Sequence, residues 1–110
     1  MKQYLLDEIA RPDLPRIKAY LNEKAQPSGL DGIWWVELTQ EQLSEVQRAH
    51  PDCQPHCFAV ELGRNFVKFE FLIRSRRTMR CPCIGYATRP QRDYIMDFAD
   101  RLTSDLALKT

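Results

Sequence analysis

The sequence predicts an α+β domain: an antiparallel sheet of about four strands packed against two to four helices, with the C-terminal helix in the core. Three observations carry this. Residues 57–74 form two alternating apolar runs about a short turn. Residues 88–106 open with a capping box and carry one apolar stripe at helical spacing. Proline and glycine cut the remaining chain into pieces of strand and helix length.

Each element follows in order. Residues 1–10, with Tyr4, Leu5, Leu6 and Ile9, suit either a helix or a short strand. Asp13 reads as an N-cap with Pro15 in the first turn, where a missing N–H costs nothing. Leu14, Ile17, Leu21 and Ala25 then recur at helical spacing until the loop signal Gln26-Pro27-Ser28-Gly29. Ile33 to Leu38 reads as a strand, with Trp34, Val36 and Leu38 on one face and Trp35 on the other. Thr39 and Gln42 form a capping box predicting a short helix with Leu43 and Val46 turned inward. Pro51 and Pro55 bound the end of that helix and a turn.

The runs Cys57–Leu62 and Phe66–Arg74 form a hairpin about Gly63, Arg64 and Asn65. With Arg64-Asn65 at the tip, Glu61 faces Lys68 and Val60 faces Phe69, pairing charge with charge and apolar with apolar. Met79 to Ala87 is expected to be the third strand, completing a meander over residues 57–87. Thr88 and Gln91 cap the last helix, with Pro90 in its first turn. Ile95, Phe98, Ala99, Leu102 and Leu106 form its buried stripe.

With 110 residues, 44% hydrophobic and 10% aromatic, the chain is expected to fold as a single compact domain over residues 1–110. Four glycines and no low-complexity tract exclude collagen-like and linker-like classes. No apolar run nears the roughly 20 residues of a membrane span. The first residues lack the apolar stretch of a secretory signal, so the expected compartment is the cytoplasm, with reduced thiols.

The net charge of +1 hides a split. Arg64 to Arg92 contains eight basic residues and one acid, Glu70. Arg74, Arg76, Arg77 and Arg80, with Lys68 and Arg64, are therefore the candidate surface for an anionic partner. An acidic protein is favoured over nucleic acid, because a pI near 7.7 is low for a nucleic-acid binder. The bland alternative is a solvated turn paired with Asp93, Asp97 and Asp100.

Four cysteines and two histidines fall into two groups: His50, Cys53, His56 and Cys57, then Cys81 and Cys83. Zinc takes four such ligands in a tetrahedron, often from pairs with two to four residues between them, a spacing that Cys53 and Cys57 have and Cys81 and Cys83, with one residue between them, do not. The alternative reading is thus a structural zinc site of Cys53, Cys57, Cys81 and Cys83, with His56 or His50 as a substitute ligand. If Met79–Ala87 is a regular strand, Cys81 and Cys83 face Ile73 and Phe71 as buried thiols, out of reach of Cys57. Pro82 cannot donate to a ladder, and a bulge there would change that register.

Trp35 is expected either to mark a binding surface or to be covered by the N-terminal segment. No nucleophile elbow or glycine-rich phosphate loop is present, so no catalytic set is expected. The leading functional expectation is a non-enzymatic binding or regulatory module without a cofactor, its arginine-rich hairpin end meeting an anionic partner.

Overall fold

The computed structural model describes residues 2–109. It shows a mostly antiparallel sheet with three helices. In chain order the elements are β1 (Gln3–Leu6), α1 (Leu14–Lys24), β2 (Gln26–Pro27), β3 (Ile33–Glu37), α2 (Glu45–Arg48), β4 (His56–Leu62), β5 (Val67–Glu70), β6 (Leu72–Ser75), β7 (Gly85–Tyr86) and α3 (Arg89–Asp105). Five strands lie side by side in the order β1-β5-β4-β3-β2. β6 continues beside β4, and β7 pairs with β6.

The hairpin has the register that its charge and apolar patterns predict. Val60 pairs with Phe69 and Glu61 with Lys68. The Glu61 and Lys68 side chains form an ion pair at 3.0 Å. Gly63 donates its N–H to the carbonyl of Phe66 across the turn at 2.9 Å. A Cβ at Gly63 would collide with the Phe66 ring, which a larger residue there would have to displace.

Beyond Phe69 the second run does not continue as one strand. Phe58 and Ala59 of β4 face four residues, 70 to 73, before pairing resumes at Cys57 and Arg74. That two-residue excess is a bulge, and it keeps Phe69 and Ile73 on the same buried face. Phe71 at the bulge donates its N–H to the Lys2 carbonyl and accepts at its own carbonyl from the Ala87 N–H, so β1 and β7 share one edge, end to end.

One face of the sheet carries the core. Trp34, Val36, Phe58, Val60, Val67 and Phe69 pack with Ile17 and Leu21 of α1 and Ile95, Phe98, Ala99 and Leu102 of α3. Phe98 meets the rings of Phe58 and Phe69 edge-on, at 5.9 and 6.3 Å between centroids. The Trp34 indole N–H donates to Asn22 Oδ1 at 2.9 Å and fixes α1 against β3. The helix stripes expected at Ile17, Leu21 and Ile95 to Leu102 are the buried ones.

Four expectations need correction. Asp13 precedes α1 but does not cap it with its side chain; its carboxylate accepts from Arg16 instead, at 2.7 Å. The Thr39–Gln42 box closes only one tight turn, and a second box, Ser44 with Gln47, opens α2. In consequence Gln47 points inward and Val46 is exposed. Trp35 is covered by Arg76, whose guanidinium lies 5.8 Å from the ring, because the N-terminal strand sits at the far edge of the sheet. The strand expected over Met79–Ala87 shrinks to Gly85–Tyr86, with Ile73 opposite Gly85. Pro82 offers no N–H, and the Cys81 carbonyl instead accepts from Ile84 at 3.0 Å in a turn. Among the described residues, no helix is long and apolar enough to cross a membrane.

Candidate metal centre

Two short turns present the cysteines. His50-Pro51-Asp52-Cys53 forms one helical turn, with the Cys53 N–H donating to the His50 carbonyl at 3.0 Å. Proline at its start supplies a preset φ where no donor is needed. Cys81-Pro82-Cys83 forms the other, and the Cys83 N–H lies 3.4 Å from Cys81 Sγ. Pro82 breaks the expected strand, and the two neighbouring sulfurs meet that of Cys53 instead of lying opposite Ile73 and Phe71.

Sγ atoms of Cys53, Cys81 and Cys83 lie within 4.8 Å of one another. Cys53 and Cys81 are 3.4 Å apart, which is far longer than a disulfide bond of about 2.05 Å. Zn–S bonds of about 2.3 Å at the tetrahedral angle put sulfurs about 3.8 Å apart, within the span seen here. Among the described residues, no histidine nitrogen or carboxylate joins the three sulfurs at the same spacing.

Each thiol is tuned by the other two. Hydrogen bonds from the Cys83 thiol and the Cys83 N–H hold Cys81 below the ordinary thiol range, with Cys53 and the charge of His50 adding to this. The bond to Cys81 pushes Cys53 up. Burial pushes Cys83 up to about 12, with Cys81 and Cys53 adding to it. Three thiols this close cannot all ionise unaided, and a bound cation reverses that balance.

The backbone of the cluster is held from behind. Ser75 Oγ donates to the Cys53 carbonyl. Gln47 Nε2 donates to the Cys83 carbonyl at 3.3 Å. Gln91 in turn donates to Gln47 Oε1 and to the Gln42 carbonyl, both at 2.9 Å. Gln47 and Gln91 are capping-box residues of α2 and α3, so the caps and the cysteine turn share one buried network. Sequence reasoning finds the Gln91 box but misses Gln47 and Ser75; the Ser44–Gln47 spacing was the available signal for Gln47.

The structure does not bring Cys57 to the cluster, as the four-cysteine reading required. Cys57 alternates to the opposite face of β4, where Sγ lies 3.8 Å from the Arg74 carbonyl and burial raises its pKa to about 12. Neither histidine nitrogen groups with the three sulfurs. His50 Nδ1 is 2.6 Å from the Val46 carbonyl. His56 is 1% exposed, and neither ring nitrogen has a partner. Burial, then the charge of His50, lowers its pKa.

The basic residues differ in how they are engaged. Lys68 is paired with Glu61, and Arg74 with Glu70 at 3.3 Å. Arg76 donates to Gln26 Oε1 at 2.8 Å while stacking over Trp35. Arg64 lies at the hairpin tip, near Lys68 and about 20 Å along β4 from Arg74. Among the described residues, the exposed guanidinium groups of Arg77 and Arg80 form no ion pair, and Asp93, Asp97 and Asp100 do not pair with any of these.

Comparison with protein families, with curated proteins and with solved structures finds no match to this chain.

Proposed function

We propose that this chain is a non-enzymatic zinc-binding domain in which Cys53, Cys81 and Cys83 hold one metal ion in a structural role. The observation that carries the reading is the convergence of three thiols from two turns, 28 residues apart in sequence, to within 4.8 Å. Soft thiolates favour zinc over the oxygen-seeking cations. Metal at this point ties the loop after β6 to the turn before β4, two segments that otherwise meet through few backbone bonds.

The test is metal content by elemental analysis of protein purified without chelator, for the native chain and for Cys81→Ser. The native chain is expected to carry about one zinc and the variant much less. Equal, negligible metal in both contradicts the reading.

One observation favours a second, compatible role. Arg77 and Arg80 stand exposed on a loop fixed by hydroxyl bonds: Ser75 Oγ accepts from the N–H groups of Arg77 and Thr78, and Thr78 Oγ1 from that of Arg80. A preformed loop with two free guanidinium groups suits carboxylates of an acidic protein. Nucleic acid is the weaker candidate, since only part of the basic segment is free. Arg77→Glu with Arg80→Glu is expected to abolish binding to an acidic peptide and leave metal content unchanged; undiminished binding contradicts this role.

A further inference from the structure

We infer that His50 supplies the fourth ligand through Nε2, closing the centre as a tetrahedron of three sulfurs and one nitrogen. This rests on the proposed three-thiolate site. His50 and Cys53 stand at the two ends of one tight turn, in the pattern His-x2-Cys. This complements the Cys-x-Cys turn on the other side, so each turn contributes two ligands. The Nδ1 contact to the Val46 carbonyl, a pure acceptor, places the ring proton on Nδ1. That leaves a lone pair on Nε2, and ligating histidines are commonly held by such a bond from their other nitrogen. Val46 and His50 sit on one short segment with α2. Closing that segment on the sulfurs therefore carries the orienting bond along with the ligand.

His56 is the rival. It pairs in register with Ser75, whose hydroxyl meets the Cys53 carbonyl, so its ring projects on the cysteine side of β4. Both of its ring nitrogens are buried without a partner, so ligation there would satisfy one of them. His50 is preferred because its Nδ1 already makes the orienting bond to the Val46 carbonyl, whereas no partner orients the His56 ring.

The consequence is a closed site. Three thiolates and one imidazole fill the zinc tetrahedron and leave no position for a reactive water, as in structural rather than catalytic zinc centres. The test is Co2+ substitution in native chain, His50→Ala, His50→Asn and His56→Ala. Native protein is expected to show thiolate-to-cobalt charge transfer with the strong visible bands of a tetrahedral site. Both His50 variants are expected to keep the charge transfer, weaken the visible bands and lose about tenfold or more in affinity. Added imidazole is expected to restore the bands in His50→Ala, and His56→Ala to match the native spectrum. A native spectrum in the His50 variants, or the change appearing in His56→Ala, overturns the assignment of His50 and leaves the three-thiolate site standing. No thiolate charge transfer in the native chain overturns both.

Discussion

Cys57 and Cys83 are both buried, yet their sequence neighbours send them to different tasks. Cys57 sits within regular β4, where alternation puts it on the face opposite Phe58, and it does not join Cys53, only four residues earlier. Cys83 follows Pro82, which breaks the ladder and folds the chain back on Cys81. The predicted outcome is a clean separation. Cys57→Ala is expected to keep about one zinc per chain, whereas Cys83→Ala loses it. The thiol of Cys57, held near 12 by burial, is also expected to resist alkylation until the protein unfolds. Metal analysis and timed thiol labelling check both points. Spacing alone grouped Cys57 with Cys53; strand parity contained the answer for Cys57, while Pro82 was only a warning that the parity of Cys81 and Cys83 was unsafe.

At the scale of elements, legibility followed the range of the interactions. The β4–β5 register was readable because both faces carry matching patterns, and a slip of one residue would invert them. The stripes of α1 and α3 were readable for the same reason. The bulge at residues 70–73 was not, since its cause lies in partners distant in sequence: Lys2 and Ala87 bond to Phe71. The role of Gln47 was hidden in a similar way. Its capping bond is local, but its amide reaches Cys83, 36 residues away. The two contributions are expected to separate by mutation. Thr88→Ala removes a cap and is expected to cost about 1 kcal/mol of stability with metal affinity unchanged. Gln47→Ala removes bonds to Cys83 and Gln91 within the protein and is expected to cost about 1–3 kcal/mol and to weaken metal binding. Chemical denaturation with parallel zinc titrations distinguishes them.

At the scale of the whole molecule, the apolar core and the cysteine cluster are separable. Ile17, Leu21, Phe58, Phe69, Ile95 and Leu102 are fully or almost fully buried without any contribution from the metal site. The sheet and helices therefore have their own source of stability, unlike small zinc folds that collapse when the ion is removed. Metal is assigned a narrower task, which is to fix the turn at 50–53 and the loop running to Cys83. That loop carries Arg77 and Arg80, so metal bound at the proposed centre would also set the shape of this exposed basic segment. The helical core was legible in composition and periodicity; the loop geometry was not, because it depends on a proline, two turns and side-chain bonds across the fold.

The most direct measurement is a zinc titration of chelator-stripped protein, reading bound zinc, protected thiols and Tm together. The predicted result is saturation at one zinc per chain with protection of Cys53, Cys81 and Cys83. Tm is expected to rise by about 10 °C or more at zinc far above Kd, with helix and strand content nearly unchanged. Thiols that stay equally reactive, with no bound zinc and an unmoved Tm, would contradict the three-thiolate centre.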